Sequence, residues 1–173
     1  MRPFRFLATV DQYPHLSELT SLARKAEAVG CSAFVLPDHL IGQYAAIPLL
    51  AVVAAATERL RVGTFVLNAC LRHPAVLAQD LATLDVLSGG RLEIGLGAGW
   101  NKPEHDAIGI PFEPAGVRVR RLAEAITVLK GCFAKGRSPS RASTTPSPAT
   151  MPRPSRRSDR TRQFSWAAAA SAC

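Results

Sequence analysis

Several things that would narrow the reading at once are missing from this 173-residue chain. Its four cysteines (Cys31, Cys70, Cys132, Cys173) are scattered with no paired spacing, which fits neither a disulfide framework nor a zinc finger and points to a reduced, cytoplasmic setting. No apolar run is long enough to span a bilayer. The densest, Ala45 to Ala56, covers about 12 residues and contains Pro48, against the ~20 that a spanning helix needs. Arg2 and Arg5 precede a short apolar stretch that Asp11 interrupts, which does not read as a secretory signal. Acidic residues are missing from one region: residues 135–173 hold 8 Lys/Arg and a single Asp, whereas residues 1–134 hold 13 Lys/Arg against 12 Asp/Glu. The net charge of +8 therefore belongs to the tail. The near-neutral body carries no nucleic-acid footprint, and at 47% hydrophobic the chain can bury a core without cross-links.

What is there is an alternation of strand and helix. Strands are expected at Phe4–Val10, Ala33–Leu36, Arg61–Leu67 and Arg91–Leu96, and helices at His15–Val29, Ile47–Arg59, His73–Leu87 and Val117–Phe133. Gly97 to Gly116 reads as a long loop. The first helix should bury Leu16, Leu19, Ala23, Ala26 and Val29, the last Val119, Leu122, Ile126, Leu129 and Phe133. Strand starts recur at roughly 28–30 residues, the size of a βα unit, so the sheet should be parallel with right-handed crossovers. Both a doubly wound sheet and a (β/α)8 barrel fit that pattern.

Both architectures bind ligands at the carboxyl ends of their strands. The four expected strands end at Asp11-Gln12, at Asp38-His39, at Asn68 and at Gly97-Ala98-Gly99-Trp100-Asn101. Such residues can also be plain loop polarity or helix caps. Asp38-His39 follows an apolar run directly, and a carboxylate beside an imidazole offers a hydrogen-bond acceptor and a proton carrier for neutral pH. The glycines at 95, 97 and 99 let a flat or phosphorylated ligand approach the backbone, but Trp100 and Lys102-Pro103 break the dinucleotide fingerprint. His105-Asp106 reads as a solvated loop pair and His73 as a helix-start residue. Neither has a second ligand at metal spacing, so no metal is expected. The second helix is apolar nearly all round, which implies burial on two sides, by the sheet and by a partner subunit or a loop of the same chain.

The runs VLPDH, LRVGTFVLN, RHPAVLAQDLATLDVLSGGRLEIGLGAGW and GIPFEPAGVRVRRLAEAITVLKG resemble the luciferase-like monooxygenase superfamily, and more closely its probable oxidoreductases dependent on coenzyme F-420, a deazaflavin. The resemblance covers about residues 4–133. It implies the first four βα units of a TIM-like (β/α)8 barrel and hydride transfer between a small organic substrate and coenzyme F-420, with FMN as the second choice of cofactor and monooxygenase chemistry as a variant. It also implies a homodimer through the second helix. By resemblance, Asp38 and His39 match the acidic-His pair facing the ring and substrate, with one or the other exchanging the accompanying proton. Val66 and Asn68 belong to the segment where relatives carry a non-proline cis peptide behind the ring, and Gly97, Gly99 and Asn101 match the cofactor-lining loop. Trp100 stands where a sugar-phosphate dehydrogenase of the superfamily has a glutamate, which disfavours that substrate and makes Trp100 a pocket wall. The region from 135 departs from the family pattern. Its Arg, Ser, Thr and Pro without periodicity read as a disordered tail, and the Ala167–Ala170 run and added arginines are what a one-base frameshift of glycine and proline codons would produce. Four units where a barrel needs eight imply weak or absent cofactor binding by this chain alone, an inactive half-barrel being the alternative to an enzyme and a basic anion- or nucleic-acid-binding module a further one.

Overall fold

The computed structural model describes residues 4–10 and 15–136. Asp11, Gln12 and the region read as a tail, apart from residues 135 and 136 at the end of the last helix, lie outside the described residues. The elements run β1 (Leu7–Thr9), α1 (Leu16–Ala28), β2 (Ala33–Leu36), α2 (Ala46–Ala56), β3 (Arg61–Thr64), β4 (Leu67–Asn68), α3 (Pro74–Leu87), β5 (Leu92–Glu93), β6 (Leu96–Gly97), α4 (Lys102–Ala107) and α5 (Ala115–Gly136). Every strand pair is parallel. β1, β2, β3 and β5 form one sheet in chain order, and β4 pairs with β6. A doubly wound sheet reverses its strand order at a switch point. This one advances in a single direction, as the first half of a (β/α)8 barrel must.

The register explains the layering. Phe34 sits beside Val62, and Val62 beside Leu92. With Leu36 these side chains form one core with Leu19, Ala23 and Ala26 of α1, Leu50 and Val53 of α2, and Leu84 of α3. A second core joins Leu67 of β4 to Leu77, Ala78 and Leu81 of α3 and Leu129 of α5. On the other sheet face Arg61 and Glu93 point away from the helices, and Glu93 takes ion pairs of 2.5 Å from both Arg5 and Arg61.

The third and fourth strands each come in two pieces. β3 and β4 are separated by the cis peptide Phe65–Val66, while Phe65 N–H still bonds Leu36 O at 2.8 Å and Leu67 N–H bonds Gly95 O at 2.9 Å. The Thr64 hydroxyl closes the gap, donating to Gly95 O (2.9 Å) and accepting from Gly95 N–H (3.1 Å). The strands cross so closely that a Cβ on residue 95 would lie 2.3 Å from Thr64 O. Glycine there is a packing requirement.

Other expectations need correction. α2 stops at Ala56, not Arg59, because other elements take its last groups. Glu27 of α1 accepts the N–H groups of Glu58, Arg59 and Leu60 at 2.6–3.4 Å. Arg91 donates to Ala54 O and Leu60 O, both at 2.7 Å, to Ser88 O at 2.6 Å and to Thr57 Oγ1 at 3.1 Å. The buried side of α5 keeps Leu129 and Phe133 of the expected stripe but not Val119 and Ile126. Ala125 and Leu129 are buried, while Val119 is 56% exposed and Ile126 36%. On α1, Val29 is exposed because the chain has already left the helix. The stretch 97–116 is not all loop, since α4 occupies residues 102–107 with Pro103 in its first turn, where a proline loses no helical hydrogen bond.

Glu27 generates a prediction. Hydrogen bonds from the Arg59 and then the Leu60 N–H hold its carboxyl below the ordinary carboxylate value, against a smaller opposing effect of burial. A carboxyl lowered in the folded state contributes stability above its unfolded pKa, and loses it as pH falls through the native value. Glu27→Ala should cost about 1 kcal/mol at neutral pH, a typical loss for a capping acceptor. The gap in Tm between parent and variant should close as the solution is acidified below the carboxylate range, read by circular dichroism.

Candidate active site

The site grows from the end of β2. Past Leu36 the chain leaves the strand, and Asp38 and His39 reach different neighbourhoods. Asp38 is 4% exposed. Its carboxylate accepts two parallel hydrogen bonds from Arg72, Nη1 to Oδ2 at 2.6 Å and Nη2 to Oδ1 at 2.8 Å, and a third from the Asn68 N–H at 3.1 Å. Such bidentate pairs are the strong, directional form of charge-assisted hydrogen bond. Arg72 answers in kind: the Asp38 hydrogen bond raises its guanidinium above the ordinary value, outweighing desolvation.

His39 sits beside the opening. Its Nδ1 lies 3.4 Å from Glu104 Oε2, and its ring meets Trp100 edge to face at 5.9 Å. Glu104, 1% exposed, also accepts the Leu40 N–H through Oε1. At the end of β4, Asn68 uses Oδ1 to take the Cys70 N–H at 2.9 Å, and its Nδ2 lies 3.4 Å from Nε2 of the fully buried His105. Gly99 has φ +76° and packs on that amide so tightly that a Cβ would lie 2.7 Å from Asn68 Oδ1.

The structure brings Asp38, His39, Val66, Asn68, Gly97, Gly99, Trp100 and Asn101 around one cleft of about 240 Å3, joined by Glu104. The cleft lies at the carboxyl ends of β2, β4 and β6. Two residues of this environment, Arg72 and Glu104, carry no expectation from sequence, and a third, His105, carries one that the structure overturns. Glu104 and His105 fall in the stretch read as loop, and His105 is a buried residue packed on Phe112, not a solvated one. Their signal was Asn101-Lys-Pro-Glu, a proline-bearing helix start with an acidic residue in the first turn. His73 caps α3 as expected, its Nδ1 accepting the Ala75 N–H at 3.3 Å. A larger, more open cavity of about 700 Å3 lies at the opposite, amino-terminal ends of the strands, among Arg5, Glu27, Arg61 and Glu93. In barrel architectures that end serves stability.

Arg72→Leu should be severely destabilising, by about 3 kcal/mol, because it strands the Asp38 carboxylate in a buried position. Asp38→Asn with Arg72→Leu should recover part of that loss. Chemical denaturation of both variants checks this, and additive losses in the pair would contradict the coupling.

Comparison with known proteins agrees with this geometry. The family model for luciferase-like monooxygenases matches residues 1–172, running past the boundary at 134 that composition marks. An F-420-dependent glucose-6-phosphate dehydrogenase from Beutenbergia cavernae is 38% identical over 137 residues, covering 75% of this chain and 40% of the relative. A monooxygenase from Streptomyces bottropensis superposes with TM-score 0.66 at 27% identity, over 73% of this chain and 42% of the other. An F-420-dependent secondary alcohol dehydrogenase, solved with an F-420–acetone adduct, superposes with TM-score 0.64 at 26% identity, over 72% and 40%. The chain thus spans about two fifths of the length of the proteins it matches. Its four parallel βα units, their single direction of winding and the match along nearly all of its length place this chain in the luciferase-like monooxygenase family.

Proposed function

We propose that this chain carries the first half of the active-site rim of an oxidoreductase that transfers hydride between coenzyme F-420 and a small organic substrate, with FMN the second cofactor it would accept. The observation that carries the reading is the convergence of glycine backbone, His39 and Trp100 on one cleft. Gly97 lets main chain line the cleft: a Cβ there would lie 2.7 Å from Val66 Cγ2, so the strands have no room for a side chain at residue 97. The cleft, at about 240 Å3, is smaller than the roughly 300–1,000 Å3 of a complete ligand pocket, as half of a rim should be.

When bound, the deazaflavin or flavin supplies the hydride chemistry. The chain's residues would bind, orient and shield. Val66, Asn68, Gly97, Gly99 and Asn101 form the floor and its edge. Trp100, 76% exposed at the mouth, is the wall toward substrate. Its bulk stands where a sugar-phosphate dehydrogenase keeps a glutamate, which argues for a different substrate here. Of the adjacent pair, His39 is the residue that moves the proton, through the nitrogen not facing Glu104. Asp38 has its oxygens committed to Arg72 and the Asn68 N–H, and it holds the frame. A homodimer through α2 belongs to the same reading, as does a boundary after residue 134. Reading the coding DNA beyond codon 135 in its other frames tests whether the tail replaces further barrel units. No helix among the described residues is long and apolar enough to cross a membrane.

The test is a titration of the full chain with coenzyme F-420, followed by cofactor fluorescence. Half a rim should give saturable quenching with a Kd weaker than micromolar, and FMN should bind less well. Gly97→Val, which fills the floor, should weaken binding at least tenfold, about 1.4 kcal/mol. Equal quenching by parent and Gly97→Val would defeat the proposal.

A further inference from the structure

The reading above gives His39 its task but leaves unexplained why a carboxylate is buried behind it. Glu104 is 1% exposed, and burying a charged carboxylate is costly unless hydrogen-bond donors compensate it. Two groups meet it at opposite oxygens: the Leu40 N–H, which donates to Oε1, and His39 Nδ1, 3.4 Å from Oε2. Among the described residues no arginine or lysine forms an ion pair with it; Arg72 is paired with Asp38 and Lys102 with Asp106. The two contacts flank one peptide, so the carboxylate grips both the ring of residue 39 and the backbone that follows it.

We propose that Glu104 is the positioning residue of this site: by accepting from Nδ1–H, it sets the tautomer and aim of the His39 ring. An imidazole has one proton to place when neutral, and whichever nitrogen donates leaves the other as the acceptor. A carboxylate cannot donate, so Nδ1 must carry the proton, and the lone pair falls to Nε2. Among the described residues Nε2 has no hydrogen-bond partner. Trp100 limits the ring from its side at 5.9 Å, so the imidazole is held by a carboxylate at one edge and an indole at another. The geometry also explains why glutamate is used. An all-acceptor group serves the Leu40 N–H and His39 Nδ1–H together. A glutamine of the same size turns its own NH2 toward one of those donors and can satisfy only the other.

The inference rests on His39 as the proton-moving residue for its purpose, but not for its test. Nitrogen-15 NMR of the imidazole in the full chain, without cofactor, reads the tautomer directly. The parent should show Nδ1 protonated and Nε2 unprotonated in the neutral ring, with the Leu40 amide proton shifted strongly downfield. Glu104→Gln, whose amide can accept from only one of the two, should either move the tautomer ratio by about tenfold, the factor one net hydrogen bond supplies, or return the Leu40 proton upfield. A parent ring protonated at Nε2, or a Glu104→Gln variant that changes neither signal, overturns the proposal, and the parent measurement decides even where the variant does not fold. Should the tautomer respond as stated while Gly97→Val leaves cofactor binding intact, the functional reading fails and the positioning role stands.

Discussion

The arrangement of the site depends on where a buried carboxylate finds its counter-charge. Asp38 leaves β2 pointing into the protein, where an unpaired charge could not persist. Arg72, on the turn between β4 and α3, supplies both guanidinium nitrogens, and the Asn68 N–H completes the set. One side chain therefore joins the end of the second strand to the end of the third and to the start of the helix that follows. The partners come from 30 and 34 residues along the chain, one βα unit away. The periodicity that builds the sheet also delivers the cation to the anion.

A second constraint is the closeness of the third and fourth strands. Between Thr64 and Gly97 the two chains cross at distances that leave no room for side chains at 95 and 97. The Thr64 hydroxyl replaces the ladder where it breaks, and Val66 rises into the space beside Gly97. The glycines at 95, 97 and 99 are thus required three times for separate reasons: a backbone carbonyl, a valine methyl and the amide of Asn68 under a positive φ. The consequence is a floor of main chain, with polar and aromatic side chains only at its margin.

These constraints explain what could be read from the sequence. The alternation of elements, the parallel sheet and the residues at three strand tips follow from local signals: apolar runs, glycine stops and polar ends at regular spacing. The choice between a barrel and a doubly wound sheet does not, because both share the βα repeat. That choice came from the resemblance and is settled by the strand order. Arg72 escaped notice because nothing local marks an arginine whose partner is 34 residues away. Glu104 and His105 lie in the stretch 97–116 that reads as a long loop, although a proline in a first turn, like Pro103, starts a helix. On α5 the apolar count places Val119 and Ile126 in the buried stripe with Leu129, whereas in the fold Ala125 is buried beside Leu129 and those two are exposed.

Asp38 and His39 show most clearly why sequence adjacency overstates functional kinship. As a dipeptide they look like one catalytic pair. In the fold the acid is turned inward and neutralised by Arg72, whereas the imidazole stays at the cleft with a different carboxylate, 65 residues away, behind it. The acid-imidazole partnership suggested by residues 38 and 39 exists in the structure, but the acid is Glu104. The adjacent carboxylate is then free to brace the strand ends, and the imidazole must be oriented by a helix that the chain reaches two units later.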